Sequence, residues 1–140
     1  MKISICSRSD IESLIKKNKI PKNSAIVSFA DTPDDFIEFP KGCDVLSVAF
    51  YDIRPYTTVK EHYDKVLPEA RKIAEYIIAK KNEDKDIICQ CDYGQSRSAG
   101  LAAAILEKWG HQGITVFADY RYTPNQFVFN KVLAELNKLN

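Results

Sequence analysis

The sequence predicts an α/β fold: a single domain, residues 1–140, built on a central, mostly parallel, twisted sheet of four to five strands flanked by helices. Three observations point there. Short apolar runs bounded by turn residues alternate with longer segments whose apolar residues recur at helical spacing. The length, 140 residues, suits one domain that buries about two-thirds of its unfolded surface. Near the middle, a strand-like run leads through a short loop into an all-round apolar helix of the kind that lies in a core.

The elements follow in order. Residues 3–6 read as a first strand. Ser9 or Asp10 caps a short helix to Lys17, with Ile11, Leu14 and Ile15 on one face. Residues 25–29 and 45–50 read as buried strands, separated by the turn chemistry of Thr32-Pro33-Asp34-Asp35 and Pro40-Lys41-Gly42. Asp31, Asp34 and Asp35 are expected to be turn residues. A long helix then begins at a capping box of Thr58 and Glu61 and carries Val66, Ala70, Ile73 and Ile77 at helical spacing. Pro68 interrupts that pattern and predicts a kink or a break.

Residues 86–91 read as a central strand and residues 98–109 as the core helix, with Gly110 as its stop. Residues 114–119 fit either a strand or a helical turn. Thr123-Pro124-Asn125-Gln126 predicts the start of a last helix, with Thr123 as cap and Pro124 in the first position, running to about Leu136.

Composition excludes several classes. The 20 basic and 19 acidic residues give a net charge of +1, which offers no electrostatic footprint for nucleic acid or an anionic membrane. No apolar run approaches the ~20 residues that span a bilayer, and residues 1–8 lack the apolar stretch of a secretory signal. The expectation is a cytoplasmic monomer whose four cysteines, Cys6, Cys43, Cys89 and Cys91, are reduced thiols. No cysteine or histidine spacing fits zinc, so neither a metal nor another cofactor is expected. His62 and His111 read as surface residues.

The chemistry concentrates in residues 87–100. Cys91 and Arg97 bracket a loop of five residues, Asp92-Tyr93-Gly94-Gln95-Ser96, and a helix begins near Arg97. The spacing alone is weak, but its setting is informative. Gly94 permits a tight turn that brings the backbone forward. A loop wrapping onto a helix N-terminus aims backbone N–H groups and the helix dipole at one point, which suits a phosphate dianion. Arg97 adds a planar fork matched to two phosphate oxygens. Thiols in such positive surroundings ionise readily, and a thiolate at the base of the cradle is an in-line nucleophile toward phosphorus.

Residues 91–98, Cys-Asp-Tyr-Gly-Gln-Ser-Arg-Ser, resemble the signature loop of the cysteine-based protein tyrosine phosphatase superfamily. Chain length and the loop's central position are similar to small members of its dual-specificity branch. Residues 121–127 also resemble the Pro-Asn segment that opens the family's final helix. The resemblance covers residues 44–136. It implies a phosphoester hydrolase with a phosphocysteine intermediate, acting on a phosphorylated protein or another phosphomonoester. It further implies Cys91 as nucleophile, Arg97 with residues 92–96 as the phosphate-binding loop, and Asn125 as its buttress. Ser98 is then the hydroxyl that helps the Cys91 sulfur leave, and Asp52, on loop 50–55, the general acid.

Three further expectations concern neighbours. Gln90 stands where the family usually has His and hydrogen-bonds to backbone without carrying charge. The Asp92 side chain points outward, because a carboxylate facing the phosphate opposes binding. Asp64 is the rival acid, and Cys89 belongs to the core. Two other classes stay open: a phosphate-binding module without turnover, and another anion-cradling cysteine enzyme such as a rhodanese-type sulfurtransferase or an arsenate reductase.

Overall fold

Apolar runs become four strands, β1 (Ile3–Cys6), β2 (Ser24–Ala30), β3 (Asp44–Ala49) and β4 (Asp86–Gln90). In the computed structural model, which describes residues 1–139, all pairings are parallel and the order is β1-β4-β2-β3. Five helices accompany them: α1 (Arg8–Lys16), α2 (Ala70–Asn82), α3 (Arg97–Gly110), the short α4 (Ile114–Phe117) and α5 (Gln126–Leu139). This is the α/β architecture the sequence predicts, with four strands.

Side chains alternate across a strand, so neighbouring residues of β2 and β4 serve different cores. Ile26 and Ile88 pack with Ile11 of α1 on one face. Val27, Phe29, Ile87 and Cys89 pack with Ile73 and Ile77 of α2, Leu101 and Ile105 of α3, and Val132 and Leu136 of α5 on the other. β2 and β4 are the inner strands, and β2 is buried along its whole length, as a strand covered on both faces must be. Helices α3 and α5 approach closely at Gly100, where a Cβ atom would fall 2.5 Å from the Asn125 carbonyl oxygen.

Local details depart from the sequence expectations. Ser7, not Ser9 or Asp10, caps α1, and Asp10 is the return partner of its capping box. The long helix does not begin at Thr58. Residues Pro55–Thr57 and Lys60–Lys65 form 3-10 turns, and α2 starts at Ala70, beyond the break at Pro68. At the end of α3 the left-handed position falls on His111, with Gly110 still helical. Residues 114–117 resolve as helix, and α5 is capped by Asn125, whose Oδ1 accepts from the Val128 amide at 3.1 Å, in place of Thr123. Among the described residues, no helix is long and apolar enough to cross a membrane.

Asp44 ties the start of β3 to the far end of α2. Its carboxylate lies 2.7 Å from Lys80 Nζ and 2.9 Å from Lys85 Nζ, and it accepts from the Tyr76 hydroxyl at 2.8 Å. Partial burial pushes its pKa up, but hydrogen bonds from Lys80, Lys85 and Tyr76 outweigh it and hold the group at about 2. A carboxyl so lowered stabilises the fold fully above its unfolded value and loses that contribution as pH falls through the folded one. Asp44→Asn is therefore expected to lower stability at pH 7 by roughly 1 kcal/mol, allowing for partial exposure. The deficit should close between about pH 4 and pH 2. Urea unfolding across that range checks it; a deficit independent of pH removes the carboxylate from the account.

Candidate active site

At the carboxyl ends of β2, β3 and β4, the usual place for a site in an open parallel sheet, a small cavity of about 80 Å³ opens to solvent. Asp52, Arg54, Cys91, Tyr93, Gln95, Ser96, Arg97 and Thr123 line it. A larger cleft of about 220 Å³ at the other end of β2 and β3, lined by Leu14, Ile20, Pro40 and Cys43 among others, has no arginine.

The loop from β4 to α3 forms the floor. Cys91 follows the last residue of β4 and is 2% exposed. Gly94 turns the chain at φ +67, and any Cβ there would lie 2.8 Å from the Ser7 amide nitrogen. The loop is anchored to the β1–α1 junction by two backbone bonds, Cys91 N–H to Cys6 O at 3.3 Å and Arg8 N–H to Asp92 O at 3.1 Å. Among the described residues, the amides of residues 92–96 donate to no backbone acceptor. Successive free amides ahead of a helix N-terminus make an anion cradle.

The thiol has one close side-chain partner, Ser98, with Sγ and Oγ 3.0 Å apart. Gln90 is fully buried and bridges two elements: it accepts from the Ser28 hydroxyl of β2 and donates to the Cys91 carbonyl at 3.0 Å. Burial, with the Asp10 charge adding to it, pushes the Cys6 thiol up to about 12, and burial pushes Cys89 well above its ordinary value. Both stay protonated at neutral pH. Cys89 packs in the larger core, on the α2, α3 and α5 side of the sheet, as expected.

Arg97 is 4% exposed, so its charge needs partners. Nη1 donates to Asp31 Oδ1 at 2.8 Å and to the Phe50 carbonyl at 2.6 Å. Nη2 meets Asp92 Oδ2 at 3.4 Å, and Nε, also buried, has no partner. Two expectations are corrected here. Asp31 does stand in the bend that leaves β2, but its carboxylate serves Arg97 and not the turn. The Asp92 side chain turns toward Arg97 instead of away from it, because the buried guanidinium attracts the nearest carboxylate, although it does not line the cavity itself.

Asp52 hangs over the same cavity on the loop after β3. Its Oδ1 accepts from Ser96 Oγ at 2.5 Å and from Asn125 Nδ2 at 2.8 Å, while Oδ2 lies 3.7 Å from Arg54. Asn125 also donates to the Ile53 carbonyl at 2.9 Å, and its backbone N–H donates to Ser96 O at 3.0 Å, so it holds the Asp52 loop and the floor together. Arg54 donates to Ser96 Oγ at 2.9 Å. The structure thus gathers Cys91, Arg97, Ser98, Asp52, Asn125 and loop residues 92–96 at one site. Asp64 and His62 are exposed in the second 3-10 turn and His111 is exposed past α3; none of the three lines the cavity.

The sequence reading gave no role to Asp31, Arg54 or Ser28. Asp31 directly follows a buried strand, where sites of parallel sheets gather, and Arg54 lies two residues beyond Asp52; both positions were available as signals. Among the described residues, no group of three or more His, Cys, Asp or Glu could hold a metal ion.

No family model matches the chain, and no curated protein matches it. Solved structures do. The Cydia pomonella PTP-2 phosphatase aligns with TM-score 0.64 and 19% identity, covering 96% of this chain and 85% of that one. DUSP15 aligns with TM-score 0.58 and 16% identity, over 94% and 81%. PTPMT1 in complex with PI(5)P aligns with TM-score 0.56 and 12% identity, over 99% and 92%.

Gly94→Ala places a Cβ at a left-handed residue, costing about 1–2 kcal/mol before any clash, and drives it into Ser7 backbone. The variant should lose at least that much stability in urea and bind inorganic phosphate more weakly. Full stability with unchanged phosphate binding would show that the loop is free to adopt another path.

Proposed function

We propose that this chain, whose fold is that of the dual-specificity branch of the cysteine-based protein tyrosine phosphatases, hydrolyses phosphomonoesters through a phosphocysteine intermediate. The observation that carries the reading is the placement of Cys91, Arg97 and Asp52 around one cavity at the N-terminus of α3. A sulfurtransferase has no use for a carboxylic acid over the thiol.

The phosphoryl group sits in the loop of residues 92–96, its oxygens on free amides and on the Arg97 fork. The Cys91 thiolate attacks phosphorus in line as the P–O bond to the leaving group breaks. The departing oxygen keeps the bonding pair and takes a proton from Asp52. Oδ1 already accepts from Ser96 and Asn125, which leaves Oδ2 to carry that proton. Water then attacks the phosphocysteine and gives a proton back to Asp52. The S–P bond breaks with its electrons returning to Sγ, where the Ser98 hydroxyl at 3.0 Å stabilises the thiolate. Gln90 contributes geometry by fixing the Cys91 carbonyl, and no charge.

The substrate is a phosphorylated protein or another phosphomonoester. A phosphoinositide belongs in the test panel, because a structural neighbour was solved with PI(5)P. A monomeric protein of the cytosol, with neither cofactor nor nucleic acid as partner, completes the reading. Gln90 in place of an imidazole favours one alternative, a module that binds phosphate without turnover. Hydrolysis of an aryl phosphate, measured beside sulfur transfer from thiosulfate, decides among the three: phosphate binding with neither activity supports the silent module.

Cys91→Ser should abolish turnover and keep phosphate binding, because a hydroxyl at neutral pH is scarcely ionised. Turnover within a factor of two of wild type would remove Cys91 from the mechanism. Asp52→Asn should slow an alkyl or tyrosyl phosphate by about 10²–10⁴-fold and an activated aryl phosphate far less. An equal loss on both substrates would make Asp52 structural.

A further inference from the structure

The five N–H donors of Arg97 are used unevenly. Both Nη1 hydrogens have acceptors, Asp31 Oδ1 at 2.8 Å and the Phe50 carbonyl at 2.6 Å. Nη2 has a single stretched contact, Asp92 Oδ2 at 3.4 Å, and the buried Nε has none. A guanidinium grips phosphate with two parallel N–H bonds from one edge. With Nη1 saturated, only the Nε–Nη2 edge remains for that grip. An orphaned buried donor calls for an explanation, and a donor reserved for a ligand supplies one.

We infer that Asp31 is a positioning residue of the phosphate site: with the Phe50 carbonyl it pins Nη1 and so turns the Nε–Nη2 edge of Arg97 toward the anion. The inference rests on the phosphatase reading above. The two acceptors sit on a rigid frame, because β2 and β3 stay paired up to the clamp, with Phe50 N–H donating to Ala30 O at 2.8 Å. Asp92 is the contrasting case. Its carboxylate touches the open edge itself, where a phosphate oxygen takes its place on binding.

The two carboxylates therefore separate positioning from simple charge. Both lie against the same cation, and if each acted only by its charge, removing either would strengthen anion binding. Positioning makes the effects opposite in sign. The experiment uses the full chain, inorganic phosphate as competitive inhibitor and an aryl phosphate as substrate. Asp31→Asn keeps an acceptor for Nη1 but loses the charge, and should weaken phosphate inhibition roughly fivefold to tenfold, the difference between a charge-assisted and a neutral hydrogen bond. Its kcat/KM should fall in parallel. Asp31→Glu, which keeps the charge on a longer arm, should recover part of the loss, and Asp92→Asn should bind phosphate severalfold more tightly. The Asp31 side chain is 41% exposed, so thermal unfolding of the variants should stay near wild type.

Asp31→Asn binding phosphate as well as or better than wild type overturns the inference. So does equal loss of folding in the Asn and Glu variants, which would make Asp31 structural. In both cases a wild type that still hydrolyses the aryl phosphate leaves the phosphatase reading standing. A wild type that neither binds phosphate nor turns over ends both.

Discussion

A guanidinium 4% exposed at the mouth of a sheet sets the terms for everything around it. An unpaired charge in that position is strongly unfavourable, so the side chain must be met by acceptors. Arg97 is satisfied from several directions: by Asp31 after β2, by the Phe50 carbonyl after β3 and by Asp92 after β4. These groups lie on three different strands, and only a parallel sheet in which β2 neighbours both β3 and β4 brings their carboxyl ends together. Sheet order and site are one constraint.

Asp52 is held by a second set of bonds that reach the same floor. Asn125 caps α5, donates to Asp52 and Ile53, and hands its amide to Ser96. Its position depends in turn on Gly100, since α3 and α5 can meet at that distance only without a side chain between them. The packing of two helices in the core thus fixes where a carboxylate stands over the cavity. Ser96 links the two sets, with its hydroxyl between Asp52 and Arg54 and its carbonyl accepting from Asn125.

Gln90 shows how a neutral side chain serves at a position where the resembled family usually has an imidazole. An amide has both a donor and an acceptor, and here both are used, from Ser28 and toward the Cys91 carbonyl, in a setting with no solvent to substitute for either. The floor is therefore braced from the sheet side by Gln90 and from the α1 side by the Cys6 and Arg8 backbone bonds. What remains free is the row of amides and the unshared edge of one guanidinium, which is the chemistry an anion needs.

The linear sequence determined whatever rests on near neighbours and periodicity. Alternating apolar runs and helical repeats dictated an α/β chain, Pro68 dictated the break before α2, and Gly94 followed by an apolar helix dictated a phosphate-sized turn bracketed by Cys91 and Arg97. Asp52 stood out only through the family resemblance, which expects an Asp on the loop between that strand and the helical region. Tertiary structure alone decided which residues meet across long separations. Asp31 reads as a turn residue until β2 pairs with β4 and brings it to Arg97, 66 positions away. Asp92 reads as outward-facing until Arg97 is buried beside it. Thr123 and Asn125 are both good caps, and the close packing at Gly100, which leaves no room for a Cβ atom beside the Asn125 carbonyl, places Asn125 at the start of α5. In each case the local sequence allows two arrangements, and a buried charge or a close backbone contact formed only in the folded chain selects one.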